Sequence, residues 1–315
     1  MKKEIDCLLV GHNNMDFREY EESIRKMGIN SGAYRDLNLN FIHFKNKPYH
    51  LSEIFNRFSY GDTLSESPVK PLSMFDSFSA TIAYLGSYLN RWGLTFDYVS
   101  VFPILEIIDF IRKYNSTAQM IVGGPFIATK IRSLEDPMLI AYLFKNTLGA
   151  DFYVNSSQGE AALVEIIQAL NNNRSFDQIN NIYYKCGDTY ISTPIVRENN
   201  KLSENLVNWD LFAHDIDEYV DIRTSISCPF SCAFCGFPEH AGKFQTIDAQ
   251  DLEKELNQLA RIKSLKGIKF IDDTFNVPVK RYKEMLRMMK KNKYQFIWNS
   301  NFRCQYVDRE IFDLD

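Results

Sequence analysis

The stretch "SCPFSCAFCGFP", Ser227 to Pro238, holds three of the chain's six cysteines, at Cys228, Cys232 and Cys235. The spacing is C-x3-C-x2-C. Three thiolates on one tight loop can ligate three corners of a cubane iron–sulfur cluster. One iron then lacks a protein ligand and is open to a small molecule. Structural zinc is a second reading. Zinc takes four ligands, usually from paired C-x2-C knuckles or Cys/His sets, and only His240 lies close enough in sequence to complete such a site. Unligated thiols are the third reading. Cys7, Cys186 and Cys304 are scattered and read as small buried hydrophobes.

Outward from the cysteines, "YVDIRTSIS" (residues 219–227) reads as a strand that delivers the loop. Asp248 reads as the cap of a helix running to about Lys266, with Leu252, Leu256, Leu259 and Leu265 near one face and Gly267 as the stop. "IKFID" is a strand, "VKRYKEMLRMMKK" a basic helix with an apolar stripe, and "YQFIWNSN" a strand. "FIDDTFN" places Asp272 and Asp273 at a strand's C-terminal end, where αβ barrels bind ligands. The other reading of this pair is a turn before Pro278. Asn299 and Ser300 end the next strand and read either as ligand contacts or as solvated polar groups.

The first half also alternates short apolar runs with helical patterns. "IDCLLVG" (5–11), "FDYVSVF" (96–102), "AQMIVGG" (118–124) and "ADFYVNS" (150–156) read as strands. "SATIAYLGSYLNRWG" (79–93), "ILEIIDFIRKY" (104–114) and "GEAALVEIIQALNNN" (159–173) read as helices. Such alternation predicts a parallel, doubly wound sheet. "GDTLSESPVKP" (61–71) reads as a loop, and "IYYKCGDTYISTPIV" (182–196) as a hairpin about its Gly-Asp. The expected domains are 1–195, a linker at 196–218, and 219–315.

With 45% hydrophobic residues, 14% aromatics and a net charge of −4, the chain is globular in composition and has no basic footprint for nucleic acid. No run reaches the roughly 18 apolar residues of a membrane span, and the start, "MKKEIDCLLVG", is too short in its apolar part for a signal peptide. A cytoplasmic protein is expected. In that reducing setting, clustered cysteines are ligands or catalysts rather than disulfides.

The C-x3-C-x2-C loop with an aromatic, Phe234, before its last cysteine resembles the signature of radical S-adenosylmethionine (SAM) enzymes. The resemblance implies a 4Fe-4S cluster on Cys228, Cys232 and Cys235, with SAM on the open iron and Phe234 near the adenine. It also implies a reductant such as flavodoxin or ferredoxin. Many members hold the SAM ammonium with a "GGE" segment, which this chain lacks; Asp272 or Asp273 is the candidate in its place. A doubly wound domain ahead of such a barrel resembles the B12-dependent branch. There "IVGGPF" (121–126) and "SSQGE" (156–160) correspond to turns around cobalamin. Gly123, Gly124 and Gly159 let backbone approach a large ring or its nucleotide tail, and a helix opens at Glu160. The Asp-x-His-x-x-Gly motif for a cobalt ligand is absent.

Further segments, "ENNKLSENLVNW", "SCPFSCAFCGFPEHAGKF", "FIDDTFNVPVKRY" and "NSNFRC", resemble the phosphinate P-methyltransferase group of that branch. The implied fold is α/β: a Rossmann-like cobalamin-binding-type domain, then an incomplete radical SAM (β/α) partial barrel. The implied reaction methylates phosphorus or an unactivated carbon, on a small-molecule or peptide substrate. The alternatives are a radical SAM enzyme without cobalamin, doing cyclisation or epimerisation, and a non-catalytic cluster-binding fragment. Two departures stand out. A helix and strand expected between "FDYV" and "FPILEIIDF" are missing, and about three barrel strands precede Asp315. The expectation is a fragment of a longer enzyme, or a barrel that a second polypeptide completes.

Overall fold

The computed structural model describes residues 5–12, 42–44, 47–49, 77–101, 104–134, 136–233, 235 and 241–314. The loop expected at 61–71 lies outside them. The chain divides into two compact units, Asn13–Ser77, and Met1–His12 together with Phe78–Asp315. The larger unit opens with strand β1 (Cys7–His12). The smaller one contributes an antiparallel pair, β2 (Ile42–Phe44) and β3 (Lys47–Tyr49).

The chain resumes at β4 (Ser77–Phe78) and helix α1 (Ala80–Arg91). Ser79 caps α1 by accepting the Ile82 N–H at 3.5 Å, and Ile82, Ala83 and Leu89 are buried. Strand β5 (Phe96–Val101) pairs in parallel with β1, Leu9 opposite Tyr98. As the missing spacer implies, β5 leads straight to α2 (Ile104–Tyr114). Then come β6 (Ile121–Val122), α3 (Pro125–Leu134), α4 (Pro137–Leu143), β7 (Phe152–Val154) and α5 (Glu160–Asn171). The hairpin of β8 (Ile182–Cys186) and β9 (Thr189–Ser192) forms as expected. It extends the parallel β6–β7 pair on the antiparallel side, giving the order β6-β7-β8-β9. Among the described residues β1–β5 is a separate ladder.

In the second half, β10 (Tyr219–Ile222) breaks at Arg223–Thr224 before β11 (Ser225–Ile226), which pairs with β12 (Gln245–Thr246). Asp248 caps α6 (Ala249–Leu259) through the Asp251 N–H at 2.8 Å. This helix is shorter than expected. Ala260 to Leu265 turn back through backbone bonds, and Gly267 begins β13 (Gly267–Phe270) rather than ending a helix. A Cβ at Gly267 would stand 2.8 Å from the Tyr219 ring, so the glycine serves strand contact. Helix α7 (Val279–Asn292), strand β14 (Ile297–Ser300) and helix α8 (Arg309–Leu314) follow. Parallel β10–β13 and β13–β14 pairs make the sheet β14-β13-β10-β4. The fold is thus α/β with parallel sheets, a Rossmann-like part followed by a partial barrel. Its outer strand β14 leaves Ile297 67% exposed.

One core cluster runs through both halves, from Leu9 on β1 and Leu163, Val164 and Ile167 on α5 to Val220, Ile268, Leu256 and Met285 around the barrel strands. The segment 196–218, nearly without regular elements, feeds Leu202, Val207, Trp209, Phe212 and Ile216 into it. Glu255 of α6 holds that segment. Its carboxylate accepts the Val207 N–H at 3.2 Å and the Trp209 indole N–H at 3.0 Å. The three scattered cysteines are all free thiols, but only Cys7 is partly buried. Its thiol is pushed up to about 11 by burial and the neighbouring Asp6 charge. Cys186 and Cys304 are exposed, which corrects their reading as buried hydrophobes; each lies at the end or outside of a short element.

Burial pushes the Glu255 carboxyl up to about 7, against the lowering effect of its donors. A raised folded value means that the native state holds the proton more tightly than the unfolded chain. The associated stability is full below the unfolded value near 4.5 and is lost as pH rises towards 7. Glu255→Gln removes this dependence. The stability difference between wild type and variant should therefore shift in the variant's favour by about 2 kcal/mol between pH 5 and 7.5. Urea unfolding at the two pH values checks it; an unchanged difference contradicts a buried, titrating Glu255.

Candidate functional site

The break between β10 and β11 frees backbone donors at the C-terminal end of the barrel sheet. Asp272, just after β13 and 3% exposed, takes them up. Its Oδ1 accepts the Thr224 N–H at 2.9 Å, the Ser225 N–H at 2.6 Å and the Ser225 hydroxyl at 2.8 Å. Its Oδ2 accepts the Thr224 hydroxyl at 2.5 Å. Beneath lies Arg281 of α7, 7% exposed, donating to the Thr224 and Ile247 carbonyls at 3.1 and 2.7 Å and to the Thr224 hydroxyl. Burial pulls its guanidinium down to about 10 while the Asp272 and Asp248 charges oppose that. A buried cation that donates to carbonyls and lies near a carboxylate is a satisfied one.

Three residues beyond Ser225 comes Cys228, so this knot fixes where the cysteine loop leaves the sheet. Cys228 Sγ lies 3.5 Å from the Thr274 hydroxyl. An Arg303 guanidinium N–H donates to Cys232 Sγ at 2.6 Å. The Cys235 N–H bonds the Cys232 carbonyl at 2.9 Å, closing a turn between these two cysteines, and Cys235 itself is exposed. Among the described residues no three His, Cys, Asp or Glu side chains are gathered closely enough to hold a metal ion. The donor set is nonetheless three free thiols on one loop, which suits thiolate-bound iron in its chemistry. Phe234 and His240 lie outside the described residues.

The carboxylate pair divides. Asp272 is consumed by the strand break, whereas Asp273 is exposed at the sheet's end. Partial desolvation and the adjacent Asp272 charge push the Asp273 carboxyl up. On the next strand Asn299 is exposed, and Ser300 carries a buried hydroxyl with no hydrogen-bond partner among the described residues.

In the first half, the glycine turns converge at the C-terminal end of β7. A Cβ on Gly123 would lie 3.4 Å from Val154 Cβ, and one on Gly159 3.3 Å from Val154 Cγ1. Gly124, exposed with φ +94°, has open space where a Cβ would stand. The N-terminus of α5 already holds an anion of the chain. Glu198 accepts the Gly159 N–H at 3.1 Å and the Ala161 N–H at 3.3 Å, favoured by the helix dipole. Burial and the Glu160 charge push the Glu198 carboxyl up. Glu160 turns to the barrel instead and meets Arg223 at 3.5 Å. The Arg223 guanidinium sits 4.3 Å over the Tyr84 ring, and the Tyr84 hydroxyl donates to the Arg223 carbonyl at 2.7 Å. The Gly159–Glu160 turn and the strand leading to the cysteines are thereby tied together.

Sequence reasoning passed over Thr224, Arg223, Glu198, Arg281 and Arg303. The polar run Arg223–Thr224–Ser225 inside a strand pattern was one available signal. Arg281 was another: it lies four residues before buried Met285, on the apolar stripe of α7.

No family model matches the chain. An uncharacterized methyltransferase of Pyrococcus horikoshii is 22% identical over 228 residues, 70% of this chain and 47% of that protein. The fold is similar to the radical S-adenosylmethionine methyltransferase TsrM from Kitasatospora setae, solved with cobalamin and a [4Fe-4S] cluster bound. The TM-score is 0.52 at 16% identity, covering 79% of this chain and 57% of that one. It is also similar to OxsB, a cobalamin-dependent S-adenosylmethionine radical enzyme solved with aqua-cobalamin bound. There the TM-score is 0.51 at 15% identity, over 96% of this chain and 47% of that one. The chain thus spans about half the length of these proteins. The likeness establishes the shared fold. Among the described residues no helix is long and apolar enough to cross a membrane.

The two aspartates should respond differently to the same change. Asp272→Asn sets an amide NH2 against buried donors and is expected to lower stability by about 3 kcal/mol. Asp273→Asn, exposed, is expected to stay within about 0.5 kcal/mol of wild type. Urea denaturation measures both; equal effects would contradict the assignment of Asp272 to the strand break.

Proposed function

We propose that the chain is the cofactor-bearing part of a cobalamin-dependent radical SAM methyltransferase. The observation that carries this reading is the joining of two features. A three-cysteine loop leaves a barrel sheet at a buried Asp272–Thr224–Arg281 knot. The residue beside that knot, Arg223, ion-pairs with Glu160 in the glycine turn of the Rossmann-like half. The likeness of fold to TsrM and OxsB supports it.

In this reading Cys228, Cys232 and Cys235 hold a 4Fe-4S cluster with one open iron, and the functional parts divide at 1–195, 196–218 and 219–315. Asp273 accepts from the SAM ammonium, Phe234 lies by the adenine, and the unpartnered Ser300 hydroxyl meets a polar group of SAM or substrate. Asp272 acts one step back, fixing the strand end from which the loop starts. Gly123, Gly124 and Gly159 leave room for cobalamin at the strand ends, where open α/β sheets take ligands. When bound, these groups supply the radical and the methyl group; the protein supplies placement and exclusion of water. The substrate class is a phosphinate phosphorus or an unactivated carbon, in a small molecule or peptide. A cytoplasmic reductant such as flavodoxin or ferredoxin delivers electrons.

Anaerobic reconstitution with iron and sulfide, followed by gel filtration with cobalamin, tests the reading. About four iron atoms per chain are expected, with cobalamin retained, and Cys→Ala at any of the three positions should remove the iron–sulfur absorption. Gly124→Val, strained at positive φ and filling the open space, should release cobalamin while iron stays. Asp273→Asn should weaken SAM binding about ten-fold. A chain holding one zinc and no iron sinks the cluster. Iron without cobalamin turns the reading to a radical SAM enzyme of another reaction type.

A further inference from the structure

Arg303 joins three segments that the proposed reaction does not by itself connect. Its backbone is held on both sides by Asn276, which is fully buried in the turn before α7. The Arg303 N–H donates to Asn276 Oδ1 at 3.0 Å, and Asn276 Nδ2 donates to the Arg303 carbonyl at 2.8 Å. The guanidinium lies over a ring of the cysteine loop, its Cζ 3.9 Å from the Phe230 centroid, while one N–H reaches Cys232 Sγ at 2.6 Å. The Phe230 ring stacks in turn on Tyr306, 5.6 Å between centroids and 25° between planes. A side chain gripped at its backbone, packed over an aromatic ring and hydrogen-bonded at its tip has little rotamer freedom left.

We propose that Arg303 is a positioning residue for the cysteine loop: it orders Phe230 and Cys232 before a cluster enters and keeps an N–H donor and a positive charge beside the Cys232 sulfur afterwards. This rests on the reading of the loop as a cluster site. Two consequences follow from the geometry. Without the guanidinium the loop is left with the Phe230–Tyr306 stack as its tie to the β14–α8 segment, so its backbone opens more often. With the cluster bound, loss of a donor and a positive charge next to a ligand sulfur makes the cluster harder to reduce.

Two variants separate these effects. Arg303→Met keeps packing over Phe230 without charge or donors; Arg303→Lys keeps the charge and a single donor group. Circular dichroism confirms that both fold. In cluster-free protein, amide hydrogen exchange over residues 228–235 should be several-fold faster in Arg303→Met than in wild type. In reconstituted protein of equal iron content, a redox titration followed by electron paramagnetic resonance (EPR) should give a more negative midpoint for Arg303→Met. Arg303→Lys should recover most of that shift. Unaltered exchange and an unaltered midpoint in Arg303→Met, with iron retained, overturn the proposal and leave the cluster reading intact. A wild-type chain that takes up no iron, with the exchange difference still present, sinks the cluster reading. It would also reduce Arg303 to an organiser of a metal-free loop, which overturns its role toward a ligand.

Discussion

The buried carboxylate of Asp272 is the constraint on which the rest of this structure leans. A strand that must leave its sheet to form a loop strands its own polar backbone groups, and leaving them unmet in the interior costs about 1–3 kcal/mol each. Here one carboxylate just beyond the adjacent strand accepts two N–H groups and two hydroxyls at the break. Arg281 meets the carbonyl left behind. The cysteine loop therefore starts from a rigid point rather than from a fraying strand end. The two residues of the break, Arg223 and Thr224, serve opposite sides: Arg223 faces Glu160 and Tyr84, and Thr224 faces Asp272 and Arg281.

That arrangement gives physical content to the coupling of the two halves. They share a continuous apolar core, with α1 and α5 packed into the same cluster as β10, β13 and α7. The 196–218 segment is part of that core, pegged by Trp209 and Phe212 and held by Glu255. Polar ties then fix the facing loops. Glu198 caps α5 beside Gly159, and the Gln245 side chain at β12 donates to Asn199 at 3.0 Å. A ligand lying over the β6 and β7 ends would meet a loop geometry set from the barrel side as well as its own.

Much of the fold was legible because its signals were local. Strand–helix alternation, Asp248 as a cap, and the Gly-Asp hairpin each act over a few residues, and the structure follows them. The cysteine spacing is likewise a local signal. What escaped reading depends on contacts between distant segments. Gly267 looked like a helix stop because nothing nearby reveals that the Tyr219 ring packs on it. Asp272 and Asp273 are adjacent and chemically alike, yet one is buried in four hydrogen bonds and the other exposed, a difference made by Thr224 and Ser225, 48 and 47 residues away. Arg281 and Arg303 were given no role from the sequence. Burial of Arg281 under the strand break and the packing of Arg303 over Phe230 arise only in the folded chain.

The central claim is that the cysteine loop presents a cluster with one iron open to SAM. The most direct measurement is the EPR spectrum of the reduced, reconstituted chain recorded with and without SAM. The account predicts a four-iron signal whose g-values change when SAM is added, and no such change in Cys232→Ala. A reduced cluster signal that is the same with and without saturating SAM would contradict it.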